Sequence, residues 1–303
     1  MAYHEPVLAS ESIDALAIRP GGIYVDATFG GGGHSRLILE KLGAEGRLLG
    51  FDQDEDARAN VPEDGRFAFV QHNFRFMKRF LRLHRITELD GMLADLGVSS
   101  HQLDVAERGF SYRFDAALDM RMSRQQEKTA ATVTNTYTPE ALQEVFSRYG
   151  EVRNARTLAQ RITQEREHRP IETIGAFLAA VEPVVRGHRA RYLSQVFQAL
   201  RIEVNDEMGA LQDFLEQALE LLRPGGRLAV ITYHSVEDRM VKNFLKAGNF
   251  EGRQEKDFYG NIQRPFKTIT KKAITPSEEE VRQNPRARSA KLRVGEKVLP
   301  KEN

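Results

Sequence analysis

The sequence predicts an α/β protein built on a doubly wound, mostly parallel sheet that is interrupted by an inserted helical domain. Three observations predict it. Between residues 22 and 100, short apolar strands alternate with amphipathic helical stretches. Four consecutive glycines, Gly30 to Gly33, stand at the first strand-to-helix junction. From about 104 to 205 no strand can be read, and the alternation resumes at 206.

GIYVDAT (22–28) reads as the first strand, and His34 to Leu42 as a helix with Leu37, Ile38 and Leu42 on one side. GRLLGFD (46–52) and RFAFVQ (66–71) are the second and third strands. FRFMKRFLRLH (74–84) spaces Phe76, Met77, Phe80 and Leu81 as a helix does, and ELDGMLADLG (88–97) holds the fourth strand. In the insert, 138–167 is helical with a breaker at Gly150, and 170–185 is a helix opened by Pro170. Asp206 is the expected N-cap of a long amphipathic helix that ends in a tight turn at Arg223-Pro224-Gly225-Gly226. RLAVITYH (227–234) is a buried strand, and 235–248 a helix with Ser235 as its N-cap. FKTITKKAI (266–274) and SAKLRVGEKV (289–298) are two late strands. A late antiparallel pair on an otherwise parallel, seven-stranded sheet is the layout of class I S-adenosylmethionine-dependent methyltransferases, a Rossmann-like fold. The expected division is a discontinuous sheet domain over 1–104 and 206–303, with an all-helical insert over 105–205 that recognises the substrate.

The chain contains no cysteine. That excludes disulfide frameworks, thiolate metal sites and cysteine nucleophiles, and no metal site is read from the sequence. No apolar run approaches the roughly 20 residues of a membrane span, and the N-terminus lacks a signal-peptide pattern. A cytoplasmic protein with no membrane partner is expected; a homodimer is compatible with the sequence. The net charge is +1, but its distribution is uneven. Residues 253–301 hold 13 Lys/Arg against 6 Asp/Glu, and residues 1–252 hold 31 against 36. The basic C-terminal segment is either a solvated tail or a surface for RNA phosphate, with Arg288 and Arg293 as candidate contacts.

The glycine run lets the backbone turn sharply and lets a ligand approach closely. Asp52 ends the second strand, where an acid accepts hydrogen bonds from ribose hydroxyls. Two cofactors fit that geometry, NAD and S-adenosylmethionine. The dinucleotide fingerprint G-x-G-x-x-G fails, because Gly30 and Gly32 are followed by Ser35. Asp26, just before the glycines, suits a cationic ligand without phosphate. S-adenosylmethionine is therefore the expected cofactor. The fourth strand runs into Asp95-Leu96-Gly97-Val98-Ser99, which faces the reactive end of a ligand lying outside the strands' carboxyl ends. Ser99 by itself reads as readily as a helix cap.

These motifs together resemble one family, the 16S ribosomal RNA cytosine-N4 methyltransferases, or RsmH/MraW family. The resemblance rests on Tyr24 to Ser35, Asp90 to Asp104, Arg108-Gly109-Phe110-Ser111, Phe197 to Asn205, His234 to Arg239 and Asn284 to Arg293, and begins at Tyr3-His4-Glu5-Pro6. It implies cofactor contacts at Gly32, Gly33, His34, Asp52, Phe74, Asp95 and Gln102. It also implies a cytidine of the decoding centre (P site) as substrate, in 16S rRNA within an assembled or nearly assembled small subunit. The sequence departs from the family's usual Ser-Phe-His-Ser, having Thr232-Tyr233-His234-Ser235.

Methylating a cytosine amine asks mainly for positioning and matched electrostatics, because the nitrogen lone pair is delocalised into the ring. Asp95 is the first candidate to accept from the amine, with Ser99 and His234 as further catalytic candidates. Phe110, Tyr112 and Tyr233 are candidate stackers for an extruded base. His4 and Asn205 follow from motif membership, and Arg239 from the polar cluster after the fifth strand. Arg121 either pairs with Asp119 or holds a phosphate. Two other readings stay open: an amino-methyltransferase acting on DNA or protein, and a non-catalytic, cofactor-binding assembly factor.

Overall fold

A computed structural model describes residues 6–254 and 264–299, so His4 lies outside the described residues. Chain order begins with α1 (Ala9–Leu16), β1 (Ile23–Asp26), α2 (Gly33–Lys41), β2 (Arg47–Asp52), β3 (Phe67–Gln71), α3 (Met77–Leu83) and β4 (Leu89–Asp95). The helical stretch holds α4 (Ser100–Asp104), α5 (Ala130–Thr136), α6 (Pro139–Arg148), α7 (Ala155–His168), α8 (Ile174–Val181) and α9 (Arg189–Asn205). Then follow α10 (Glu207–Leu221), β5 (Leu222–Thr232), α11 (Ser235–Ala247), β6 (Phe266–Thr268), α12 (Glu278–Gln283) and β7 (Lys291–Lys297).

The seven strands form one sheet in the order β3-β2-β1-β4-β5-β7-β6. The first five are parallel to one another, and β7 runs antiparallel to both β5 and β6. This is the class I methyltransferase layout. Strand order reverses between β1 and β4, and ligands of such sheets sit at that switch point. β4 and the Leu228–Thr232 half of β5 are buried almost without a break, as parallel strands covered on both faces require. One face packs Leu8, Ile13 and Leu16 of the first helical segment and Ile38 and Leu39 of α2 against Leu48, Leu93, Ile231 and Leu292. Each such fully buried side chain contributes about 1.5–3 kcal/mol.

The chain divides into two units, one of residues 1–97 and 209–303, the other of 98–208. The second unit thus begins before α4 rather than after it. It has its own core, with Phe146, Leu158, Ile162, Phe177, Leu193 and Leu200 among its most buried residues. Phe110 belongs to that core at 7% exposure, so the expectation that it stacks on a base is corrected.

Several local expectations are also revised. Asp206, directly before α10, also closes α9 in the left-handed region (φ 48°). The 223–226 turn is instead the irregular start of β5, where register shifts between the Leu89–Leu222 and Gly91–Arg227 pairs. Thr173, not Pro170, caps α8, its side chain accepting from Ala176 N. His234, not Ser235, caps α11.

Candidate active site

Asp26, Asp52 and Asp95 are the last residues of β1, β2 and β4. Three neighbouring parallel strands therefore deliver three carboxyl groups to one rim of the sheet. Asp26 accepts from Ser35 Oγ at 2.7 Å and from Thr28 N at 3.2 Å. Asp52 accepts from Gly30 N at 2.8 Å with Oδ2 and from Asp54 N at 2.8 Å with Oδ1. Asp95 accepts from the Tyr233 hydroxyl at 2.8 Å, and its own N–H donates to Thr28 Oγ1 at 2.6 Å. Burial pushes each of the three carboxyl groups up to about 6. Among the described residues none of them pairs with a Lys or Arg; the one basic group beside them is His34, whose Nδ1 lies 3.9 Å from Asp95 Oδ2. Burial lowers the pKa of that imidazole, and its Nε2 donates to Val7 O at 3.1 Å in the neutral form.

The glycine loop divides into two halves. Gly32 (φ 74°) is the left-handed N-cap of α2, and a Cβ on it would meet the Phe29 ring at 3.0 Å. A Cβ on Gly33 would meet the Pro6 ring at 3.0 Å. Protein thus takes up the side-chain space of both, and what they offer a ligand is backbone. Gly31 has nothing within 4 Å of its Cβ position. The loop is tied to β2 through Asp52, and Asn60 Nδ2 donates to Gly30 O at 3.0 Å.

The remaining expected residues fall into different roles. Phe74 opens a short 3-10 turn and packs edge-on against Phe214, 5.3 Å between centroids. His234 Nδ1 accepts from Glu237 N at 3.4 Å as the N-cap of α11. Its Nε2 stands 2.9 Å from Glu237 Oε1, although not aligned for a hydrogen bond. Both ring nitrogens of this catalytic candidate therefore face Glu237. In the 98–208 unit, Ser99 and Gln102 form a reciprocal capping box at the start of α4, each bond 3.1 Å. Ser99 is thus the cap of α4, and Gln102, 6% exposed, is held by the same box.

Three expected RNA contacts are engaged structurally. Arg121 makes a bidentate pair with Asp119 and donates to Gln126 O at 2.7 Å, which orders the loop. Asn205 is 6% exposed, accepts from Met122 N and donates to Met120 O, both at 2.8 Å. It fastens the end of α9 to that same loop. Arg293 donates to Asp238 at 2.6 and 3.1 Å, tying β7 to α11. Tyr112 packs its ring on Phe197 and is part-buried. Arg239 and Arg288 are exposed. Sequence reasoning missed Thr28, Ser35 and the Tyr233 hydroxyl as holders of the acids. It also missed buried Arg108, which donates to Arg121 O and Met122 O.

A family model, described as the MraW methylase family, matches residues 1–298. The chain belongs to the MraW methylase family. Among similar proteins is the ribosomal RNA small subunit methyltransferase H of Parabacteroides distasonis, 58% identical over 298 residues, 98% of each chain. That of Flavobacterium johnsoniae is 56% identical over 299 residues, 98% of this chain and 99% of the relative. As a MraW methylase the protein is an enzyme whose methyl donor is S-adenosylmethionine, which carries a sulfonium and an ammonium group. The site fits that donor. Asp26 is buried and Asp52 and Asp95 are half-buried at their strand ends, and among the described residues none has a Lys or Arg partner, so a cation would complete the rim that desolvation otherwise disfavours.

Proposed function

We propose that the protein methylates the exocyclic N4 amine of a cytidine in the decoding centre of 16S rRNA, acting in the bacterial cytoplasm on an assembled or nearly assembled small subunit. The observation that carries the reading is the acid-lined rim at the β1–β4 switch point, in a chain that is full-length kin to small-subunit rRNA methyltransferases. When bound, S-adenosylmethionine supplies an electrophilic methyl group on a sulfonium sulfur.

The chain's own residues do the rest. Asp52 accepts from ribose hydroxyls, and Asp26 holds the glycine turn through Ser35 and Thr28 while supplying negative potential beneath the ligand's cationic end. Asp95 accepts an N–H of the target amine, orients the nitrogen lone pair, and takes the proton that nitrogen loses as its new N–C bond forms. A carboxyl group near 6 is a weak enough acid to receive that proton and is ionised at neutral pH to accept it. The 98–208 unit selects the RNA, and exposed Arg239 and Arg288 contact phosphate. Tyr112 remains a candidate to touch the base.

The test is methyl transfer from labelled S-adenosylmethionine to small subunits, free 16S rRNA and DNA, followed by nucleoside analysis. N4-methylcytidine in 16S rRNA, formed most rapidly on small subunits, is the expected result. Label in DNA or protein overturns the substrate. Tight cofactor binding with no transfer to any RNA points to the non-catalytic assembly factor.

A further inference from the structure

We propose that Tyr233 is a positioning residue for methyl transfer, its hydroxyl holding Asp95 by Oδ1 so that Oδ2 is the oxygen presented to the target amine. This rests on the reading of Asp95 given above. Tyr233 follows the last residue of β5, and β5 pairs with β4 so that Ile231 lies opposite Asp95. The phenol therefore leans along the rim and reaches the carboxylate of the neighbouring strand at 2.8 Å.

The ring is itself held. Tyr233 N donates to Glu237 Oε2 at 3.0 Å, and Gly97 lies against the ring so closely that a Cβ there would come to 3.2 Å. Gly97 has φ 114°, so the chain turns just after β4 with no side chain in the phenol's way. Asp95 is pinned at two points, its N–H by Thr28 and its Oδ1 by Tyr233. Oδ2 has no hydrogen bond among the described residues and faces His34 Nδ1 at 3.9 Å. A carboxylate fixed by one oxygen has one orientation for the other, which is what a near-attack geometry requires.

The groups facing Asp95 are His34 of α2, Asp26 of β1, Tyr233 after β5 and Glu237 of α11. Two are acids that disfavour its ionisation, while the Tyr233 hydrogen bond favours it. Removing the hydroxyl therefore both loosens Asp95 and raises its pKa.

Tyr233→Phe keeps the ring and its packing. In the full-length protein acting on small subunits, it is expected to lower kcat about tenfold with KM for RNA unchanged. The acid limb of the pH–rate profile is expected to move up by about one unit, the worth of one hydrogen bond to a charged group. A carboxyl-carbon NMR titration of the protein without cofactor should show the same upward shift at Asp95. Combining Tyr233→Phe with Asp95→Asn should cost no more than Asp95→Asn alone. An unchanged kcat and titration in Tyr233→Phe, beside an impaired Asp95→Asn, overturns this proposal and leaves the role of Asp95 standing. Losses that multiply in the double variant overturn it as well. An Asp95→Asn variant with full activity overturns both.

Discussion

At the scale of single residues, the three rim acids set the pH behaviour. Free Asp titrates near 4, and burial raises Asp26, Asp52 and Asp95 to about 6 in the folded chain. Between those values the folded protein binds more protons than the unfolded one. Their contribution to stability is therefore greatest below about pH 4 and is lost as pH rises through about 6. A cationic ligand favours the ionised acids, so S-adenosylmethionine affinity should climb from pH 5 to 7 and then level off. Calorimetry near pH 6 in buffers of different ionisation enthalpy should detect proton release on binding; a pH-independent dissociation constant would contradict the placement. Asp52→Ala should weaken cofactor binding by about 1.5–3 kcal/mol. It should also lower Tm, because Gly30 and Asp54 N–H groups lose their acceptor. Cofactor affinity equal to wild type would remove Asp52 from the site.

At the scale of elements, the glycine loop and the last strand make separable predictions. Gly32→Ala forces a side chain into the left-handed region beside Phe29 and should cost about 1–2 kcal/mol of stability. Gly31→Ala has open space and should leave Tm near wild type, so equal losses from both would refute the division of the loop. Arg293→Gln breaks the β7–α11 tie to Asp238, so Tm should fall while the salt dependence of RNA binding stays put. Arg288→Gln should do the reverse, reducing the salt slope by about one. The strands were legible from sequence because apolar runs bounded by glycine and acid have few alternatives. Helices α1, α4, α5, α9 and α12 were not read; α9 begins with Arg189 and Arg191, which mask the apolar face behind them. The cap of α11 was placed one residue late because an imidazole nitrogen can accept as a Ser oxygen does. The strand-end acids could be seen in the sequence, since position on a strand is local. The Tyr233–Asp95 bond could not, because it joins residues 138 positions apart; its sequence trace was a Tyr in place of the family's Phe.

At the scale of the whole molecule, the 98–208 unit has a core of its own, its buried residues running from Phe110 to Val204 with Val98 and Leu103 packed against them. Expressed by itself it should unfold cooperatively, and a featureless thermal scan would show that it leans on the rest of the chain. Replacing it with a short linker should leave a protein that binds S-adenosylmethionine and methylates no RNA. The sheet behaves differently in time. Strand β7, which covers the flank of β5, is synthesised after every other strand. Until Lys291–Lys297 leaves the ribosome, the apolar run Leu228 to Ile231 presents an open edge, the kind that invites wrong partners. The helical unit is thus born complete mid-translation, while the half bearing the three acids matures last, and early termination before residue 291 should yield aggregates rather than a weaker enzyme.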